Sequence, residues 1–294
     1  MPIRHLFLAL LVVLIWGINF LFVKLALDEI APLLLCALRF LLASVPAVFF
    51  IKPPNLPFRI IALYGLVMFG LQFIFVFVGM HLGMTAGMAS LIMQTQVFFS
   101  MLFAAILLEE RTTRWQLLGA FVAFLGIGLI ALHFDRSISL VGFLCLLGAA
   151  ATWGAGNLIT KKNKSDSMIA LVIWGSFFAF IPMMGLSFYF DGYQTIIDSL
   201  VHLSWQSLIA IVYIVYLSTW VGYGIWNWLL SRHPVGTVVP FTLLVPIVGV
   251  LSSVVWLGEP FQSWKVLACF LVLCGLLINL LGPLLRQGRS QVAG

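Results

Sequence analysis

The side chains of this chain that could do chemistry are few, and they lie inside long apolar runs. Asn19, Gln72, Gln94, Gln96, Asn157, Ser218, Thr219 and Asn227 fall near the middle of such runs, among Trp16, Trp153, Trp174, Tyr213, Tyr216, Trp220, Tyr223 and Trp226. An amide in apolar surroundings must find a protein group, a water or a ligand, because a buried unsatisfied group costs about 1–3 kcal/mol. If the runs are helical, Trp16 shares a face with Asn19, Gln72 with Phe75, and Trp153 with Asn157. An amide beside an indole, presented twice, suits hydrogen bonding to a small zwitterion while lipid and water are kept out. The plainer alternative is that the amides knit helices together, at about 1 kcal/mol per bond.

Arg39 is the one strong charge within a run. A charge at that depth costs at least ~2.5 kcal/mol unless it is partnered. Two roles fit it: a cation for a substrate carboxylate, or a snorkelling or helix-bridging arginine that fixes its own span. Gln94 and Gln96 are two apart and point to different faces of a regular helix, so only one of them is expected to line a passage. The candidate ligand-contacting residues are therefore Trp16, Asn19, Arg39, Gln72, Gln94, Trp153, Asn157, Tyr213, Tyr223 and Trp226.

Other chemistries are excluded by what the runs lack. Neither Asp nor Glu lies deep in a run; Glu109, Glu110 and Glu259 sit at run ends. A small proton-coupled multidrug carrier would need a buried carboxylate to titrate. The histidines His5, His81, His133, His202 and His233 lie at or beyond the ends of the runs. With no HExxH, GxSxG or P-loop in the chain, enzyme activity and direct use of ATP are not expected. Cys36, Cys145, Cys269 and Cys274 lie inside runs at no metal-ligand spacing and read as reduced packing residues. No metal, cofactor or nucleic acid is called for.

The elements that position these residues follow from composition. The chain is 63% hydrophobic and only 8% charged, against roughly 25% charged for a soluble domain. Inside a bilayer only helices and closed barrels satisfy their own backbone groups. Unbroken apolar runs of about twenty residues decide for helices. The spans fall at 6–27, 31–51, 60–81, 86–108, 115–133, 140–160, 168–190, 206–230, 235–257 and 265–285. The first is too long for a signal peptide and lacks a small-x-small cleavage site, so it is expected to be retained.

With the N-terminus inside, the inner segments hold Arg4, Lys52, Arg59, Arg111, Arg114, Lys161, Lys162, Lys164, Arg232, Arg286 and Arg289, while the outer loops hold Lys24, Arg136 and Lys265. The positive-inside rule thus predicts a multi-pass protein of a bacterial-type inner membrane, with both termini cytoplasmic. Residues 191–204 place Ile196, Ile197, Leu200 and Val201 on one helical face, as an interfacial helix would.

The chain also resembles itself. Trp16, Gly17 and Lys24 recur as Trp153, Gly154 and Lys161; later, Tyr64, Gly87, Glu110, Trp115 and Gly126 recur as Tyr213, Gly236, Glu259, Trp264 and Gly275. Two repeats are expected, 1–134 and 135–294, each of five spans. Five is odd, so the second copy must enter the membrane upside down. An all-α protein of ten transmembrane helices in two inverted repeats is the architecture of secondary transporters with alternating access. A duplicated bundle could instead serve as a non-transporting sensor, although no soluble output region follows from the sequence.

The segments LLVVLIWGINFLFVKLAL and LRF in the first two spans, SLIMQTQVFF in the fourth, VGYGIWNWLLSR in the eighth and LLVPIVGV in the ninth resemble the EamA family of the drug/metabolite transporter superfamily. The resemblance implies a cavity formed mainly by spans 1, 3, 4, 6, 8 and 9, with spans 5 and 10 peripheral. It also implies export of small amino acids or similar metabolites, of the cysteine or O-acetylserine type; the protein is expected to work as a monomer among membrane lipids. A broader drug or metabolite efflux carrier is the alternative within that family.

Overall fold

The computed structural model describes residues 2–107, 109, 112–132, 139–163, 165–233, 239–259 and 262–292. Among these residues the structure is helical throughout, with no strand. We number the helices in chain order. Helix α1 is Ile3–Leu27 and α2 is Pro32–Ser44, followed by a 3-10 turn, Ala47–Phe49. Helix α3 runs as Phe58–Tyr64, a π-helical segment Gly65–Leu71, and Gln72–His81. Helix α4 is Ala86–Ile92, a 3-10 segment Met93–Thr95, and Gln96–Leu107. Helices α5, α6 and α7 are Arg114–Ala131, Leu140–Lys162 and Met168–Phe190. A short helix α8, Tyr193–Val201, precedes α9, which runs as Trp205–Val212, a π-helical segment Tyr213–Gly222, and Tyr223–Arg232. Helix α10 is a 3-10 segment Val239–Leu244 and Val245–Leu257, and α11 is Ser263–Val292.

Seven of these stretches among the described residues are long and apolar enough to cross a membrane: Ile3–Leu27, Pro32–Phe49, Phe58–His81, Ala86–Leu107, Leu140–Thr160, Met168–Phe190 and Trp205–Trp226. Three shorter apolar helices, Arg114–Ile130, Val245–Leu257 and Ser263–Asn279, lie where the fifth, ninth and tenth spans are expected. Helix α8 falls within the expected interfacial stretch; Gly192, with φ of +80°, makes the turn into it, and Ile196 is buried while Leu200 and Val201 stay exposed. The sequence-selected Glu110, Gly236 and His133 lie outside the described residues, and nothing is said of the side chains of Asn227, Lys161 and Pro240.

Glycines let the helix backbones approach closely, as is usual where no hydrophobic effect drives helices together. A Cβ on Gly119 would lie 2.5 Å from the Gly275 carbonyl oxygen and 2.9 Å from the Asn279 Cα, and one on Gly126 would lie 2.9 Å from the Ala268 carbonyl oxygen. Contacts that move up α5 therefore move down α11: the two run antiparallel. Likewise Gly87 faces Ser253 and Val250 while Ser90 faces Gly249, so α4 and α10 run antiparallel. Helix α3 lies antiparallel to α6, through Gly79 against Gly142, Phe75 against Gly148 and Met68 against Gly156. Helix α1 lies antiparallel to α9, with Phe22 stacked on Tyr213 and His5 bonded to His233 at 2.6 Å.

At one end of the bundle the exposed Glu29, between α1 and α2, accepts a hydrogen bond of 2.9 Å from the Ser204 backbone N–H. That bond, with help from the Ser207 and Ser204 hydroxyls, holds its carboxyl below the ordinary value. A carboxylate of lowered pKa contributes above its unfolded value, and the contribution fades as pH falls through the lowered value. Below about pH 4 the protection of the Ser204 amide, the slowing of its hydrogen exchange relative to the intrinsic rate at the same pH, is expected to fall. In Glu29→Gln that protection is expected to be weaker from the start and not to fall further on acidification.

Candidate functional site

Between the helices lies a chamber of about 560 Å³. Its walls come from α1 (Trp16, Asn19, Phe20), α2 (Arg39), α3 (Tyr64, Met68, Gln72, Phe73, Val76, Phe77), α4 (Met93, Gln94, Gln96, Val97, Ser100), α6 (Trp153, Asn157, Thr160), α7 (Met168, Val172), α9 (Ser218, Tyr223, Trp226) and α10 (Thr242, Val245). Among the described residues, none of α5 or α11 borders it. These two helices pack on each other at the side.

Nine of the ten residues selected from the sequence meet here: Trp16, Asn19, Arg39, Gln72, Gln94, Trp153, Asn157, Tyr223 and Trp226. Tyr213 does not. Its hydroxyl donates to the Ile15 carbonyl at 2.8 Å, and its ring stacks on Phe22 at 4.0 Å, so it clamps α9 to α1. Two of the other aromatic residues noted at mid-depth act the same way: the Trp174 indole donates to the Ile51 carbonyl at 2.9 Å, and that of Trp220 donates to the Ala43 carbonyl at 3.0 Å. An indole in lipid needs an acceptor, and another helix's backbone carbonyl supplies one.

Arg39 neither snorkels nor pairs with an acid. It is 2% exposed; its Nη2 donates to Thr219 Oγ1 of α9 at 3.2 Å, and the guanidinium lies 4.2 Å from the centre of the Phe73 ring. Its Nε and Nη1 have no hydrogen-bond partner. Thr219 lies in the π-helical segment and itself donates to the Ile214 carbonyl five residues back, at 3.0 Å. The arginine thus bridges α2 to α9 with two donor positions left over. Ser176, which occupies the matching place in the second half of the sequence, donates instead to the Val172 carbonyl of its own helix at 2.7 Å.

Two acceptors are also left over: Asn19 Oδ1 and Gln72 Oε1 are buried without a partner. Asn157, by contrast, is engaged, its Nδ2 donating to Gln96 Oε1 and Ser100 Oγ at 3.0 Å each and tying α6 to α4. The expectation that Gln94 and Gln96 could not both face the chamber is corrected: both line it. The reason is the 3-10 turn Met93–Thr95, because residues two apart lie about 160° apart around an α-helix but about 120° apart in a 3-10 helix. Phe75 does not share the exposure of Gln72 to the chamber; its ring covers Gly148 of α6.

An aromatic wall completes the site. Trp16 donates to the Ser218 carbonyl at 3.1 Å, and its ring lies 5.2 Å from Tyr223 and 5.4 Å from Trp226. Gly222 makes room for it, since a Cβ there would collide with the Trp16 indole nitrogen. Sequence reasoning missed Phe73 beneath the arginine and Ser100 beside Asn157. Both lie in apolar runs and gain their roles only through a contact from another helix, so no local spacing marks them.

The described residues thus form a multi-span helical bundle around a largely apolar chamber, with Arg39 as the one charged side chain among the described wall residues. The sequence model of the EamA-like transporter family matches residues 3–132 and 140–281. The chain belongs to that family. It is 38% identical over 294 residues to a Salmonella typhimurium (strain LT2) protein named "Probable amino-acid metabolite efflux pump", covering 98% of each chain. It is equally 38% identical to an Escherichia coli (strain K12) protein of the same name, over 94% of each. A solved structure described only as "Crystal structure of protein" has the same fold, with a TM-score of 0.58 at 15% identity over 96% of this chain and 98% of that one.

Proposed function

We propose that this protein is a secondary transporter that exports small amino acids or amino-acid-like metabolites, with the chamber as its substrate site. The observation that carries the reading is that three residues bordering one chamber, Arg39, Asn19 and Gln72, each keep buried polar atoms without a hydrogen-bond partner. A fold has no use for such atoms; a ligand with a carboxylate and an N–H does. The names of the two bacterial relatives point to the same cargo class.

The architecture proposed is ten crossings in two inverted repeats, 1–134 and 135–294. Supporting it, the two family matches divide the chain near the same place. The π-helical segments of α3 and α9 occupy matching positions of the two halves, as do the 3-10 segments of α4 and α10. Helix α5 and its counterpart α11 run antiparallel, as do α4 and α10, which is the relation an inverted copy requires. Both termini are cytoplasmic in this reading, in the inner membrane, and one chain suffices for transport. The chamber reaches Thr160 and Met168, beside the basic α6–α7 connection, while at the other face Glu259 accepts from the Ala86 N–H at 3.0 Å and closes α10 on α4. The chamber is therefore read as facing the cytoplasm.

Uptake of labelled cysteine, O-acetylserine, threonine and phenylalanine into inside-out vesicles tests the proposal. Asn19→Ala and Gln94→Ala are each expected to lower kcat/KM about tenfold, the worth of one or two buried hydrogen bonds, with expression unchanged. Wild-type flux in both variants would remove the site. A wild-type protein that is folded yet carries nothing on the panel would favour a sensor.

A further inference from the structure

The charge of the chamber wall says more about the cargo than its shape does. Among the described residues that wall it, Arg39 is the only charged side chain. All nine acidic residues of the chain, Asp28, Glu29, Glu109, Glu110, Asp135, Asp166, Asp191, Asp198 and Glu259, lie outside the apolar spans read from the sequence. A free amino acid brings one negative and one positive charge into such a site. Its carboxylate answers Arg39, but its ammonium meets only amide oxygens and rings, so the loaded chamber still holds one uncompensated charge. Buried charge is the costly species in low dielectric.

Resting on the exporter reading, we infer that the preferred cargo is a monoanionic carboxylate whose amino group is capped, an N-acylated amino acid. Its carboxylate neutralises the guanidinium, whose Nε and Nη1 have no protein partner. Its amide N–H, a neutral donor, meets Asn19 Oδ1 or Gln72 Oε1, the two buried acceptors without partners. The acyl group and side chain fill the apolar remainder, where Trp16, Tyr223 and Trp226 form one wall. At about 560 Å³ the chamber falls in the range that holds drug-sized ligands, about 300–1,000 Å³, and is roomy for cysteine alone.

The same charge balance supplies a driving force. A cargo of net charge minus one is expelled by an interior-negative membrane potential without a coupled proton, which accords with spans that hold no titrating carboxylate. A zwitterion gains nothing from that potential.

The test uses the whole purified protein in proteoliposomes, with a potassium diffusion potential set by valinomycin. Labelled N-acetyl-L-methionine, L-methionine and the neutral N-acetyl-L-methioninamide are compared at neutral pH. The N-acetylated acid is expected to enter with a kcat/KM at least about tenfold above that of free methionine, and faster when the lumen is positive; the neutral amide is expected to stay out. Free methionine carried as well as the acylated acid, entry of the neutral amide, or acylated-acid flux indifferent to the potential would each overturn the inference while leaving an exporter. Failure of all three compounds and of the free amino-acid panel would overturn both readings.

Discussion

Gly65→Leu is expected to leave no folded protein to assay. Gly65 opens the π-helical segment of α3 where that helix crosses α7, and a Cβ on it would fall on the carbonyl group of Gly175. The obstacle is backbone, which has no rotamer to retreat into. A Cβ on Gly175 is milder, 3.0 Å from the Tyr64 ring, a side chain that would have to give by a few tenths of an ångström. Overpacking a core with flexible neighbours costs about 1–3 kcal/mol. At Gly65 α7 as a whole would have to withdraw, uncovering Tyr64 and Phe69, which are 3% and 1% exposed. Set against net stabilities of about 5–15 kcal/mol, that loss is decisive. Size-exclusion chromatography in detergent is expected to give aggregate for Gly65→Leu and a sharp peak for Gly128→Leu, whose site has nothing within 4 Å of a built Cβ. A sharp peak from Gly65→Leu would mean that α3 and α7 do not cross there.

Arg39→Gln is expected to lower carboxylate flux about a hundredfold, as truncating one partner of a buried charged contact generally does, while the protein stays folded. The sign of the stability change separates this role from a scaffolding one. A buried guanidinium with no acid partner is a net cost to the fold, so removing its charge leaves the melting temperature in detergent unchanged or higher. An arginine that merely bridges α2 to α9 through Thr219 would behave oppositely, lowering the melting temperature and sparing the flux of whatever protein survives. Arg39→Lys keeps the charge but loses the planar donor fork and is expected to fall between wild type and Arg39→Gln.

How much of this was legible in the residues differs between fold and site. The helices stand close to where the apolar runs end, because lipid enforces one rule on every residue of a span: satisfy the backbone locally. The interruptions of regular helix were not legible. In α9 the π-helical segment accepts a cross-helix bond from Trp16 at the Ser218 carbonyl, and such a bond is set by packing rather than by local spacing. At the site, counting polar residues in greasy surroundings found most of the polar side chains of the walls, since polarity at that depth always needs a reason. It failed to sort chamber from clamp. Tyr213 and Tyr223 lie on one helix with similar surroundings in the sequence, and only the position of α1 turns the first to a backbone carbonyl and leaves the second facing the cavity. Periodicity misled at Gln96 because it assumes 3.6 residues per turn, and α4 tightens there.

The widened turns of α3 and α9 carry a mechanical corollary. A π-helical stretch holds a surplus residue relative to an α-helix of the same rise, a ruck in the rod that re-aims every side chain beyond it. Smoothing the ruck into regular α-helix would swivel those side chains by up to ~100°, the angle of one residue. Tyr223 follows directly on Gly222, where the stretch in α9 ends; it and Trp226 stand at the mouth of such a swivel, so the aromatic wall could turn in place while the rod itself stays upright.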